Sequence, residues 1–172
     1  MGTRTDNNSG NDGKKPSFSH IRLLHLEDNE ADAMSVKRAL DRYMPDVNLV
    51  RAHTVEEAEE LLGPDKPPYN VILLDLGLPD SSDGHETFHR IEDVAKGVPI
   101  VVLTGFDDHN LVLDCADYGA QNYVRKSVIS TEPKVLFEAI DFSMHHHKAH
   151  QGQLAEKENI IQWVTGSYSV NK

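Results

Sequence analysis

The chain has 172 residues, 38% of them hydrophobic, which suits one domain of ordinary size with tails and is too little for a second full domain. Its 28 Asp and Glu against 17 Lys and Arg give a net charge of −11, and with no basic patch in the sequence, nucleic acid and anionic membrane surfaces drop out as expected partners. The single cysteine, Cys115, leaves no internal disulfide, and without a secretory leader or an 18-residue apolar stretch the expectation is a cytoplasmic protein.

Residues 1–18 are polar and rich in Gly, Asn and Ser, so they cannot offset the entropy of ordering and are expected to be disordered. Short apolar runs then alternate with amphipathic stretches. The pattern predicts strands near 21–26, 47–52, 70–75, 99–103 and 121–125. Between them it predicts helices near 30–43, 54–63, 86–96 and 108–119, with a long last helix from about Glu132. Strand and helix repeated five times imply an α/β fold, a parallel sheet with helices on both faces. Thr54 followed by Glu57 reads as a capping box, Gly63-Pro64 as a helix stop, and Gly119 as a left-handed cap. Leu136, Phe137, Ile140 and Met144 would pack the last helix on the sheet. Apolar residues thin out beyond His150, so 146–172 is either a helical extension with a small apolar face or a frayed tail.

Four apolar runs end in polar residues of one chemical kind. The run at 21–26 leads into Glu27 and Asp28, that at 71–74 into Asp75, that at 98–103 into Thr104, and that at 122–125 into Lys126. In an open parallel sheet the carboxyl ends of the strands converge on one crevice, and in the flavodoxin-like order 2-1-3-4-5 the first and third strands are neighbours. Three carboxylates would therefore meet at the switch point. Clustered anions repel, and a hard cation such as Mg2+ (or Mn2+), held by one or two carboxylates plus a phosphate, resolves that. Asp28 and Asp75 are the expected direct ligands, with Glu27 acting through water. Lys126 brings a compact positive charge that can touch both Asp75 and an incoming phosphoryl group, and Thr104 adds a hydroxyl donor. A carboxylate can attack phosphorus to give an acyl phosphate, and Asp75 is the candidate nucleophile.

Leu-Glu27-Asp28, Leu-Leu-Asp75-Leu-Gly-Leu-Pro79-Asp, Val-Leu-Thr104-Gly, Gly119-Ala-Gln-Asn-Tyr123 and Lys126 stand in the order and spacing of a known family. Over residues 20–145 the chain resembles the receiver domains of two-component response regulators. Within them it looks most like a subgroup with Asp-Leu-Ser-Leu-Pro-Asp-Ser at the phosphorylation strand. The resemblance implies a receiver domain over 19–145 with a flavodoxin-like, doubly wound five-stranded sheet and five helices, the last of them extended. It implies Asp75 as phosphoacceptor, Glu27 and Asp28 as the acidic metal pair, and the backbone carbonyl of Gly77 as a third protein ligand of the metal. Thr104 would be the switch hydroxyl, Tyr123 the switch aromatic and Lys126 the phosphate-contacting lysine.

The same resemblance implies a phosphoacceptor rather than an enzyme. A histidine kinase or phosphotransfer protein would load it, and a downstream protein would read the face formed by the helix near 108–119, the fifth strand and the last helix. Homodimers through those helices belong to the same expectation. Three departures stand out: Asp80-Ser-Ser-Asp83 looks one residue longer than usual, Gly77 and Phe106 occupy positions that tune phosphate lifetime in the family, and Ser127 replaces a proline that follows the lysine at a cis bond.

Two rivals use the same residues. A haloacid dehalogenase-type phosphatase also has a strand-end aspartyl nucleophile with Mg2+, but places a second acid two residues later, where this chain has Gly77. A phosphorylation-independent adaptor would have no need of the complete set. Tyr123 also reads as an ordinary half-buried strand aromatic. Glu27 and Asp28 also suit the dipole of the following helix. His145, His146, His147 and His150 read as a solvated helix surface rather than a metal site, since no acidic or cysteine partner lies beside them.

Overall fold

Strands form where apolar runs can be buried on both faces, and the centre of the sheet follows that rule closely. β3 (Val71–Asp75) reads Val-Ile-Leu-Leu-Asp and β4 (Ile100–Thr104) reads Ile-Val-Val-Leu-Thr, each apolar until its last residue. They are flanked by β1 (Arg22–Leu26) on one side and β5 (Asn122–Arg125) on the other, with β2 (Asn48–Ala52) at the far edge. The order is β2-β1-β3-β4-β5 with every neighbouring pair parallel, the flavodoxin-like arrangement expected from the sequence. The computed structural model describes residues 17–66, 68–105, 120 and 122–146.

Alternate strand residues face two separate helical layers, as a period of two dictates. Leu23, Leu73 and Val101 pack against Val36 and Leu40 of α1 (Glu30–Tyr43) and Leu136 and Ile140 of α5, which is described over 134–146. Leu24, Ile72 and Val102 pack on the opposite face against Ala58 of α2 (Val55–Leu61) and Phe88 and Ile91 of α3 (Gly84–Ala95). Helix starts follow their caps. Asn29 accepts from the N–H groups of Ala31 and Asp32 at the head of α1, and Asp83 accepts from that of Glu86 at the head of α3. The Asp83 cap is why α3 begins at Gly84, two residues before the predicted start. No helix among the described residues is long and apolar enough to cross a membrane.

The last helix starts within two residues of its expected place, but a helix that was not expected precedes it. A short helix, α4 (Lys126–Thr131), begins directly where β5 ends, and Glu132 breaks it at φ −129° and ψ 67° before α5 starts at 134. Pro133 is the physical cause, because its ring pushes the preceding residue out of the helical region, while proline itself suits a helix start. At the other end, Ser17 and Phe18, placed in the tail by composition, are tied down: the Ser17 hydroxyl and Phe18 N–H both donate to Asp46, and the Phe18 ring meets Phe137 edge-on. The predicted helix near 108–119 with Cys115 and Gly119, the position of Phe106, His147, His150 and the stretch 147–172 all lie outside the described residues.

Candidate functional site

The site is assembled at the carboxyl edge by the ends of β1, β3, β4 and β5. β1 closes at Leu26 and α1 opens at Glu30, so Glu27, Asp28 and Asn29 form a three-residue connection. Glu27 is folded inward with no solvent-accessible surface, and its Oε1 accepts from Asn29 N–H at 3.0 Å. Asp28 stays exposed. Asp75 ends β3 with its side chain 14% exposed, and its Oδ1 accepts from Gly77 N–H at 3.2 Å. Glu27, Asp28 and Asp75 each bring a carboxylate oxygen within 4.8 Å of the others, the one group among the described residues so arranged.

Lys126 reaches into this group from the start of α4. Its Nζ lies 2.7 Å from Glu27 Oε2, 2.8 Å from Asp75 Oδ2 and 3.1 Å from Asp32 Oδ2. Burial works against the lysine's charge, but the bonds to Asp75 and Glu27 outweigh it and hold the ammonium well above the usual lysine range. It is a permanent cation. Burial also pushes the Glu27 carboxyl up, and although Lys126 pulls it down, the Asp75 charge adds to the rise. Three acids against one lysine, with Asp28 beside Glu27 and Asp75, leave the site negatively charged, and every donor is a hard carboxylate oxygen. That donor set fits a small divalent cation.

Thr104 ends β4 one step beyond Leu103, the register partner of Asp75, and is 4% exposed. Tyr123 projects from β5 at 55% exposure, so it is not the half-buried strand aromatic that the plainer reading required. A Cβ added at Gly77 would stand 3.8 Å from Asp75 Oδ1, an ordinary contact, so glycine there leaves room beside the carboxylate rather than relieving a clash. The stretch Asp80–Asp83 supplies two caps. Asp80 closes the head of α2 by accepting from Val55 N–H at 2.9 Å and Glu56 N–H at 3.0 Å, and Asp83 caps α3. The Lys126–Ser127 bond is trans. His145 and His146 are exposed: the first lies beside the Asp141 carbonyl and 3.4 Å from the Asp141 carboxylate, an acidic neighbour one helical turn back that the sequence reading did not count, and the second is tilted against the Phe142 ring.

Sequence reasoning missed Asp32. It stands in the first turn of α1, where an acid complements the helix dipole, and only the packing of α4 across α1 brings Lys126 to it. The arrangement as a whole can hold a hard cation and present a carboxylate, paired with a fixed ammonium, to an electrophilic phosphorus.

Comparison with known proteins agrees with this geometry. The transcriptional regulatory protein KdpE of Staphylococcus aureus is 33% identical over 107 residues, covering 61% of this chain and 43% of KdpE. The chain thus spans less than half the length of that curated relative. Among solved structures, the phosphorylated cyanobacterial phytochrome response regulator RcpA is 27% identical with a TM-score of 0.56, covering 70% of this chain and 88% of RcpA. The Mn2+-bound form of the response regulator Rcp1 is 26% identical with a TM-score of 0.55, covering 64% of this chain and 90% of Rcp1. The model of the response regulator receiver domain matches residues 23–141, from β1 to α5, and the chain belongs to that family.

Proposed function

We propose that the chain is a phosphorylation-dependent signalling switch with Asp75 as phosphoacceptor. The observation that carries this reading is the Lys126 ammonium 2.8 Å from Asp75, inside a group of carboxylates whose oxygens lie within 4.8 Å of one another. A nucleophile, a cation for phosphoryl oxygens and a donor set for a metal meet at one strand edge. Such a transfer is mostly positioning and charge neutralisation, so little else is needed.

The donor is a phosphohistidine on a histidine kinase or phosphotransfer protein. Its P–N bond breaks as a P–O bond forms to an Asp75 carboxylate oxygen, and the departing imidazole nitrogen keeps the electron pair and takes a proton. Lys126, cationic throughout, turns from the Asp75 carboxylate to the new phosphoryl oxygens, and the Thr104 hydroxyl donates to another of them. Glu27, Asp28, Asp75 and the Gly77 carbonyl would hold Mg2+ or Mn2+, which when bound neutralises charge on the phosphoryl oxygens. The Mn2+-bound and phosphorylated relatives support both halves of this reading by kinship.

The added charge of about −1.5 to −2 then shifts the equilibrium between two surface conformations. Thr104 moves toward the phosphoryl group and Tyr123, exposed on β5, turns inward after it. A downstream protein, or a second copy of the chain, reads the face of β5 and α5 together with the segment joining β4 to β5. The receiver spans 19–145, and 146–172 is an extension beyond it. Intact-mass measurement with acetyl phosphate and Mg2+ tests the assignment: wild type gains one phosphoryl group and Asp75→Asn gains none. Uptake by Asp75→Asn at the wild-type rate would overturn it.

A further inference from the structure

The connection that carries the acid pair is held from behind by a residue outside the phosphoryl-transfer set. Arg51 lies near the end of β2, where the β1–β2 register sets it opposite His25. Its Nε–H donates to the Glu27 carbonyl at 2.9 Å, its Nη2 donates to the Asp28 carbonyl at 3.3 Å, and its Nη1 meets Glu30 Oε2 at 2.6 Å. One planar guanidinium therefore grips the backbone of both acids and the first residue of α1. The side chain is only 21% exposed, while Glu30 is 75% exposed, and of the three contacts the one to the Glu27 carbonyl is the sheltered one.

A carbonyl fixed in direction fixes the peptide plane, and with it the direction in which the next side chain leaves the backbone. The other restraints on this connection lie at its ends: Glu27 N–H donates to the Ala52 carbonyl, Lys126 and Asn29 N–H hold the Glu27 carboxylate, and Asn29 caps α1 and accepts from Ala33 N–H, so among the described residues the Glu27 and Asp28 carbonyls between them are held by Arg51. We propose that Arg51 is a positioning residue for the divalent-cation site, acting through the Glu27 and Asp28 carbonyls to hold the two carboxylates in a metal-binding arrangement. This rests on the reading of Glu27, Asp28 and Asp75 as metal ligands. It does not rest on charge. A guanidinium close to a cation site repels the cation, so charge alone and positioning predict effects of opposite sign on Arg51 removal.

That difference of sign supplies the test. Mg2+ binding is measured by isothermal titration calorimetry on the full unphosphorylated chain for wild type, Asp28→Asn, Arg51→Lys and Arg51→Gln, with the metal-free melting temperature of each recorded alongside. Positioning predicts a Kd roughly tenfold weaker in both Arg51 variants, the lower end of the loss seen when hydrogen-bonded supports of metal ligands are removed. Arg51→Lys keeps the charge and loses the fork. The deficit in phosphorylation by acetyl phosphate should disappear at saturating Mg2+, as an effect on affinity requires. Tighter Mg2+ binding by Arg51→Gln, or wild-type binding by Arg51→Lys, overturns the proposal while the wild-type and Asp28→Asn difference leaves the site reading standing. Equal binding by wild type and Asp28→Asn overturns both. A Kd change that merely tracks a fallen melting temperature, absent when the titration is repeated well below it, also counts against positioning.

Discussion

The two edges of the sheet are ends of the same five strands, yet they hold opposite chemistry. At the carboxyl edge the residues that matter are charged and meet one another: Lys126 touches Glu27, Asp32 and Asp75 from three different elements. At the amino edge Phe18, Ile21, Met44, Tyr69, Val98 and Phe137 give a groove of about 470 Å3 most of its apolar lining. Polar groups there include two that close the backbone, Asn70 Oδ1 accepting from Arg22 N–H and Asp46 accepting from Phe18 N–H. Parallel strands make the asymmetry inevitable. All five carboxyl ends point one way, as do the described helix starts that follow them, so acids and the site gather there, while chain returns and apolar closure fall to the other edge. Phosphoryl chemistry and stability should accordingly be separable by mutation.

The strongest blow to one edge alone is Phe137→Ala. The Phe137 ring meets Phe18 edge-on at 6.1 Å between centroids and stacks on Tyr43 at 6.0 Å, so its loss removes both aromatic contacts at once. The expected cost is about 3 kcal/mol, the lower end for Phe→Ala because the ring is half-buried. Urea unfolding reads the cost, and acetyl phosphate uptake by the variant below its unfolding transition reads the other edge. A fall in that uptake would show that the edges are not separate.

How much of this contrast the sequence carried depends on which contacts are local. The runs ending at Asp75 and Thr104 were legible because a central strand must be apolar and a polar residue at its end has one place to go. The head of α1 was legible because the helical apolar pattern that starts there is local. Arg51 and Asp32 were not, because each gains its partners through strand register or helix packing rather than through neighbours in sequence. The short helix α4 was hidden for a related reason. Lys-Ser-Val-Ile-Ser-Thr has two β-branched residues in its middle and little helical preference, and burial of Ile129 in the core overrides that. Thr54 and Glu57 were read as a reciprocal box, yet Glu57 Oε2 accepts from His53 N–H at 2.7 Å, one residue earlier than the pattern requires.

A second way to sharpen the contrast lies between the edges, in the strand interior. His25 is 1% exposed in β1, its Nε2 has no hydrogen-bond partner among the described residues, and its pKa is lowered to about 3 by burial, with Arg51 and Lys126 adding to the effect. The neutral ring is the folded form. Below the usual 6.5 the unfolded chain takes up a proton that the folded chain refuses until about 3, so stability falls as pH drops through that window. By pH 5 the loss is about 2 kcal/mol. His25→Val, which suits a buried strand, should flatten this limb, so that its urea midpoint changes less than that of wild type between pH 7.5 and pH 5. Parallel pH profiles for the two proteins would mean that His25 titrates normally in the fold.

The smallest effect tests the contrast where it is weakest, because one acid at the carboxyl edge serves stability alone. Asp80 leaves the β3–α3 loop to cap α2, taking the N–H groups of Val55 and Glu56, while Thr54 takes that of Glu57 at 3.1 Å. Burial opposes the Asp80 charge, but these two backbone bonds win and hold the carboxyl below its usual range, so the cap acts above the usual 3.8 and fades as pH falls through the lower folded value. Asp80→Ala strips two donors from the head of a seven-residue helix and should cost about 1 kcal/mol, read as a lowered urea midpoint. Asp80→Asn keeps one acceptor oxygen and should lose less. Mg2+ affinity and Asp75 phosphorylation should match wild type in both, because neither Glu27, Asp28 nor Lys126 touches Asp80. If the Asp80 variants weaken Mg2+ binding as much as they weaken the fold, the loop couples the two jobs, and the carboxyl edge is one mechanical unit rather than a site resting on a scaffold.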